Sequence, residues 1–223
     1  SALNAGQVGG LRAAEYIACA LGGEVAAEES FGAAQREQVA GVLAALARPG
    51  ASEAMTASEA IAAIQRRSTL AAAHLRERGT VARALEEARR QFDAMRRDGV
   101  RPGRREDPAA SLRAEHLALT QIALLESLRD YLDRGGGSRG SYMVMGPGAT
   151  PVMPDLVCPW TNEPYGSVAE NEGLRQDIAE IELTDPERAE FRIAHVAPRP
   201  VPRRQEAFER AWARFRAGEI YAP

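Results

Sequence analysis

Apolar residues recur at helical spacing along residues 56–133, and this periodicity constrains the fold more than any other feature. The clearest stripe consists of Val81, Leu85, Ala88, Phe92 and Met95. A second stripe consists of Ala57, Ile61, Ile64 and Leu70, and a third runs from Leu112 to Leu132. A helix with one apolar face must bury that face against another element. The sequence therefore predicts three antiparallel helices joined by short turns, in a mainly α fold.

Polar and helix-breaking residues mark the ends of these helices. Thr56 or Ser58 can cap the first helix, and Thr80 can cap the second. Asp98-Gly99 ends the second helix. Asp107 followed by Pro108 is a typical start for the third.

The first twenty residues suggest a binding site. Small and polar residues, Asn4 to Gly10, lead into a helix predicted over residues 11–21. The first amides of a helix are unpaired and carry partial positive charge, so they suit an anion or an electron-rich carbonyl edge. On spacing alone, an ordinary glycine-rich helix start is the competing interpretation. A further helix is predicted over residues 33–47.

Residues 143–223 differ in character from the helical region. Residues 143–167 are rich in Pro and Gly and are predicted to form a loop. Residues 176–183 and 191–196 alternate polar and apolar side chains, which predicts a β-hairpin. A last amphipathic helix over residues 206–217 places Phe208, Trp212 and Phe215 on one face. Such a face needs a partner if it is exposed.

Composition excludes several classes of protein. The net charge of −3 argues against a general nucleic-acid binder, and the absence of Lys excludes a Schiff-base lysine. Two cysteines, Cys19 and Cys158, make neither a disulfide framework nor a zinc site, and we expect no metal. Cys19 is predicted to lie in the core. No apolar run approaches the roughly 20 residues of a membrane span, so a cytoplasmic protein is expected.

Four segments, in order, resemble one flavoprotein family. They are Gly10-Leu11-Arg12-Ala13-Ala14, Ile64-Gln65-Arg66-Arg67-Ser68, the run Val81 to Met95, and Gly137-Ser138-Arg139-Gly140-Ser141-Tyr142. Together they are similar to the end of the FAD domain and the C-terminal helical domain of succinate dehydrogenase, fumarate reductase and L-aspartate oxidase flavoproteins. The resemblance covers residues 1–145. Each segment alone is a weak signal, and the shared order strengthens it.

The resemblance implies an FAD site and a nearby substrate pocket. Ala5, Gly6, Gln7 and Val8 would contact the flavin, and the start of their helix would stabilise negative charge on the reduced ring. Arg139 is the candidate residue of the substrate pocket, although fastening the helical domain to the FAD domain is its favoured role. The family's substrate-binding Arg falls at Ala2, and a family His falls at Tyr142. The resemblance therefore implies no standard dicarboxylate substrate.

The resulting prediction divides the chain into three parts. Residues 1–48 would be the end of an FAD-binding domain with a connecting helix, 49–142 the helical bundle, and 143–223 the loop, hairpin and terminal helix. No Gly-x-Gly-x-x-Gly follows a strand and the chain opens inside a motif without Met, so the FAD-binding domain is expected from the same longer protein or another chain. A homo-oligomer is possible. The alternative is a non-catalytic helical interaction module that uses the Phe208/Trp212/Phe215 face or the Pro-rich loop.

Overall fold

The computed structural model describes residues 2–20, 27–46, 51–101, 108–159, 162, 164–198 and 209–219. In these residues the fold is mostly helical, as predicted, and it also contains small β-sheets. The helices are α1 (Ala2–Ala20), α2 (Glu28–Leu46), α3 (Ala57–Ala72), α4 (Arg78–Asp98), α5 (Pro108–Asp133) and α6 (Glu209–Arg216). The strands are β1 (Leu75–Glu77), β2 (Met143–Met145), β3 (Thr150–Val157), β4 (Pro164–Ser167), β5 (Ile178–Asp185) and β6 (Glu190–Val196).

The chain divides into two compact units. One comprises Ser1–Leu43 and Arg199–Pro223, and the other comprises Ala44–Pro198. The larger unit holds a core formed by α3, α4 and α5, which contact one another in pairs. All five residues of the predicted α4 stripe are buried. On α3, Ala57 and Ile64 are buried, but the prediction was wrong for Leu70, which is 55% exposed.

Different kinds of residue cap α3 and α4. Thr56 and Glu59 form a capping box at the start of α3, as their spacing allows. At α4 the carboxylate of Glu77 accepts from the backbone amides of Gly79 and Thr80, at 2.7 Å and 2.6 Å. The helix therefore begins at Arg78, and Thr80 is not its cap. Asp107, the predicted cap of α5, lies outside the described residues.

Two of the three small sheets lie where the sequence predicted no strands. β1 pairs in parallel with β2, with Arg76 opposite Val144. β3 and β4 form an antiparallel pair inside the region 143–167 that was expected to be a loop. Pro151 and Pro164 both lie in this pair, and in a two-stranded ribbon each strand has an unpaired edge at which Pro can be accommodated. The Pro-rich composition is therefore compatible with strands here.

The third sheet pairs β5 with β6, and a polar cluster attaches it to α5. Ile181 lies opposite Ile193 in the antiparallel pair. Arg134 donates to Nδ1 of His195 at 2.7 Å, so His195 is left to donate from Nε2 to Asp130 at 3.2 Å. His195 therefore fastens the hairpin to the end of α5.

Buried polar side chains join the three core helices. The guanidinium of Arg67 on α3 donates to Gln121 at 2.5 Å and to Gln91 at 3.0 Å. Gln91 donates in turn to the carbonyl of Ala60 at 3.0 Å, and Gln121 donates to the carbonyl of Ile64 at 2.6 Å. Because each buried amide has a partner, the network avoids the cost of unsatisfied polar groups and favours one alignment of the helices.

The smaller unit exposes most of its large apolar side chains. α1 begins at Ala2, well before the predicted start near Leu11, and α2 begins at Glu28. Cys19 is exposed, which corrects its predicted place in a core. On α6, Phe215 is buried and stacks with Trp212 at 5.3 Å between ring centroids, while Phe208 lies outside the described residues. Among the described helices, none is both long enough and apolar enough to cross a membrane.

Two neighbouring leucines of α5 test the position of the core. Leu125 is fully buried and Leu124 is 42% exposed. Leu125→Ala should lower the free energy of unfolding by about 2–5 kcal/mol, because it leaves a cavity among packed side chains. Leu124→Ala makes the same change of residue in the same helix and should cost well under about 1 kcal/mol. Chemical denaturation of both variants measures the difference, and equal costs would contradict this packing of α5.

Candidate functional site

The predicted substrate-pocket residue, Arg139, lies in a tight turn that follows α5. The amide of Arg139 donates to the carbonyl of Tyr142 at 3.1 Å, and the amide of Tyr142 donates back to Arg139 at 3.0 Å. Gly140 lies inside this turn, where a Cβ atom would meet no atom within 4 Å. The turn thus holds the base of the Arg139 side chain at a fixed place beside β2.

The guanidinium of Arg139 is partly neutralised within the chain. Its Nε lies 3.0 Å from Oε1 of Glu170, and the side chain of Arg139 is 51% exposed. The second oxygen of Glu170 accepts from Arg175 at 2.7 Å. The hydrogen bonds from Arg175, followed by the charges of Arg175 and Arg139, hold the pKa of Glu170 below its ordinary value. A carboxylate shared by two guanidinium groups positions Arg139 and leaves part of its fork accessible to solvent.

Ser138 ties the turn to two strands. Its hydroxyl accepts from the amide of Val144 on β2 at 2.9 Å and from the hydroxyl of Ser167 on β4 at 2.8 Å. Its own amide donates to the carbonyl of Val168 at 2.9 Å. These bonds make the loop part of a scaffold, which is what a positioned binding residue requires.

An aromatic pair supports the other side of the turn. Tyr131 and Tyr142 meet edge to face, with 6.1 Å between ring centroids. The guanidinium carbon of Arg76 lies 3.7 Å from the ring centroid of Tyr142, a cation–π contact. The hydroxyl of Tyr131 donates to the carbonyl of Gly137 at 2.8 Å. Burial, followed by the hydrogen bond and charge of Tyr142, raises the pKa of Tyr131 to about 12.

The groups around Arg139 are suited to binding an anionic ligand. Its exposed guanidinium atoms can hold a carboxylate or a phosphate. Tyr131 stays protonated at neutral pH, so it is a hydrogen-bond donor and no general base. Among the described residues, no group of three His, Cys, Asp or Glu side chains could hold a metal ion.

The four predicted flavin contacts lie on α1, in the other unit. Ala5, Gly6, Gln7 and Val8 are all exposed. Because α1 begins at Ala2, Gly6 to Val8 lie beyond the residues whose amides are free at the helix start. A Cβ atom on Gly6 would meet nothing within 4 Å, so this face of the helix is open to a planar group. The role of these four residues in binding a flavin remains a prediction.

Sequence reasoning identified Arg139 and missed its partners. Glu170 is 31 residues away and Arg76 is 63 residues away, and no local pattern links either of them to the turn. Asn171 caps the short 3-10 helix Glu172–Gln176.

No known protein family, curated protein or solved structure matches this chain. Its function is therefore inferred from its own residues and geometry, together with the resemblance of its four segments.

Gly137 and Gly140 give a matched test of the scaffold. A Cβ atom at Gly137 would lie 1.8 Å from the carbonyl oxygen of Ala169, whereas one at Gly140 would meet nothing within 4 Å. Gly137→Ala should cost about 1–3 kcal/mol or more in unfolding free energy, because backbone must move. Gly140→Ala should change it by less than about 0.5 kcal/mol. Equal free energies of unfolding for the two variants, measured by chemical denaturation, would contradict this arrangement.

The raised pKa of Tyr131 predicts a late step in tyrosine ionisation. In the unfolded chain this group ionises near its ordinary value of about 10, and in the folded chain at about 12. Its contribution to stability is therefore fully present below pH 10 and is lost as the pH rises towards 12. An ultraviolet titration of tyrosinate should show the late step in the native chain and lose it in Tyr131→Phe. Tyr16→Phe, a change on α1, should keep it.

Proposed function

We propose that this chain is the C-terminal part of an FAD-dependent oxidoreductase of the succinate dehydrogenase, fumarate reductase and L-aspartate oxidase type. In this role it closes the flavin site, shapes the substrate pocket and is inactive without the FAD-binding domain. The observation that carries the proposal is the exposed apolar surface of α1 and α2. The order of the four flavoprotein-like segments supports the identity of the missing partner.

The exposed surface is too extensive for two ordinary surface helices. Seven large apolar side chains on α1 and α2 are each at least 46% exposed: Val8, Leu11, Ile17, Phe31, Val39, Val42 and Leu43. Each helix has 19 residues, and helices of this length gain most of their stability from packing an apolar face. A folded domain is needed to cover so many side chains. We propose the FAD-binding domain of the same or another chain as that partner.

The residues of α1 fit the proposed cofactor. FAD, when bound, supplies a group that accepts a hydride or electrons. Gly6 and the neighbouring small side chains leave the helix backbone open to the flat flavin, and the side-chain amide of Gln7 can donate a hydrogen bond to its carbonyl edge. The positive end of α1 favours negative charge nearby. The chain's own part is thus to bind, orient and shield the flavin.

The larger unit has a supporting role in the proposal. We propose that α3, α4 and α5 form the antiparallel bundle of the family, with the β5–β6 hairpin attached to it. Arg139 would face an anionic part of the substrate or would fasten the bundle to the FAD-binding domain. Its pairing with Glu170 favours the fastening role, because a partly neutralised guanidinium binds a free anion less strongly. We propose a cytoplasmic location.

The flavin content of the native protein tests the proposal. The protein should be purified from its source cells under mild conditions with an antibody against this chain, and its visible absorption recorded before and after denaturation. We expect a bound flavin that is released on unfolding and identified as FAD by chromatography. Native protein with no flavin, and no flavin-containing partner in stoichiometric amount, would overturn the proposal and favour a helical interaction module.

A pair of valines tests the contact residues. In the flavin-containing protein, Val8→Trp should abolish flavin binding, because the larger side chain fills the space proposed for the ring. Val152→Trp is the control, since Val152 is also an exposed valine but lies on β3. Circular dichroism should show both variants folded. An unchanged flavin content in Val8→Trp would remove this face of α1 from the site.

A further inference from the structure

A pocket of about 430 Å³ lies between α3 and α4, away from the Arg139 turn. Helix α3 lines it with Ala63, Arg66, Arg67, Leu70 and Ala71, and helix α4 lines it with Thr80, Arg83, Ala84 and Glu87. Both sets recur at intervals of three and four residues, so each set lies on one face of its helix. The volume is within the range of small-molecule sites, about 300–1,000 Å³.

Small side chains explain why the pocket exists. Ala71 and Ala84 are buried, and neither reaches far enough to fill the space between the helix axes. Ala63 and Leu70 complete an apolar wall, and Leu70 is the α3 residue whose exposure the sequence did not predict. An alanine-lined gap beside an exposed leucine offers a surface for the apolar body of a ligand.

The polar part of the pocket is positively charged. It contains three guanidinium groups, from Arg66, Arg67 and Arg83, against the single carboxylate of Glu87. This excess of positive charge lies in a chain whose net charge is −3. Guanidinium forks on both walls match the paired oxygens of a phosphate or a carboxylate.

One of the three guanidinium groups is held in place before any ligand arrives. The side chain of Arg67 is only 12% exposed, and its guanidinium donates hydrogen bonds to the buried side chains of Gln91 and Gln121. Its Nε is 3.4 Å from Glu87, a long contact with a carboxylate that is 54% exposed. Such preorganisation lowers the entropy cost of binding. The guanidinium of Arg83 donates a hydrogen bond to the hydroxyl of Thr80 at 3.2 Å, which restricts its movement.

We infer that the α3–α4 pocket binds a small organic anion, one with a phosphate or carboxylate head and an apolar body. The head lies among Arg66, Arg67 and Arg83, and the body lies against Ala63, Leu70 and Ala84. The inference rests on the larger unit alone and is independent of the flavin proposal.

Isothermal titration calorimetry of the full chain at fixed ionic strength tests the inference. The probes are phenyl phosphate, benzoate and the neutral benzyl alcohol. We expect saturable binding of one molecule of phenyl phosphate or benzoate, and whichever anion binds more tightly identifies the head group. Benzyl alcohol should bind at least about tenfold more weakly, because it lacks the charge-assisted hydrogen bonds.

Variants locate the bound anion. Arg66→Gln combined with Arg83→Gln should weaken binding about tenfold or more, through lost charge-assisted hydrogen bonds. Arg90→Gln combined with Arg97→Gln changes the net charge equally and alters two exposed arginines outside the pocket, so binding should stay within about twofold. Ala63→Leu narrows the pocket without changing its charge and should also weaken binding. Unfolding curves check that each variant is folded.

Three results would overturn the inference. The first is the absence of saturable binding by either anion. The second is equal affinity for benzyl alcohol. The third is an equal loss of affinity in the two double arginine variants, which would show a non-specific effect of charge.

Discussion

The close approach of α3, α4 and α5 is the constraint on which the larger unit depends. Alanines at the contacts, among them Ala57, Ala60 and Ala118, are almost fully buried. Small side chains bring helix backbones together, so that a glutamine on one helix can reach a backbone carbonyl on another. Gln91 and Gln121 do so, and they also hold Arg67. Other small side chains on the same helices, Ala63, Ala71 and Ala84, line the gap that becomes the α3–α4 pocket. Core, polar network and pocket thus share one physical origin.

The parts of the fold that could be predicted from the sequence are those that local periodicity encodes. The stripe on α4 repeats every three or four residues, and every member is buried. β1 could not be found in this way, because it has three residues and is paired with a strand 68 residues further along the chain. The start of α4 was misplaced for a related reason. Glu77 is an uncommon cap, whereas Thr80 is of a favoured type.

The candidate site shows the same division between local and distant information. Arg139 could be found because it lies in a glycine-rich turn after a long helix. Glu170, which fixes it, could not, since pairing between an arginine and a carboxylate 31 residues away leaves no trace in a single sequence. The α3–α4 pocket was missed because helical periodicity assigns residues to one face of a helix and does not show which two faces meet. Arg66 and Arg83 line one cavity only because a face of α3 packs beside a face of α4.

The contrast between the two units bears on the kinds of partner and ligand that we propose. In the larger unit, apolar residues at helical spacing are buried and the polar groups among them are paired. In α2, Phe31, Val39 and Val42 follow the same spacing and are exposed, and Ile17 of α1 is exposed as well. A pocket of a few hundred Å³ can be filled by a small molecule, but two exposed helix faces can be covered only by a protein surface of comparable extent. The partner that we propose for the exposed helices is therefore a macromolecule, whereas the ligand that we propose for the α3–α4 pocket is a small molecule, and the two proposals can be tested separately.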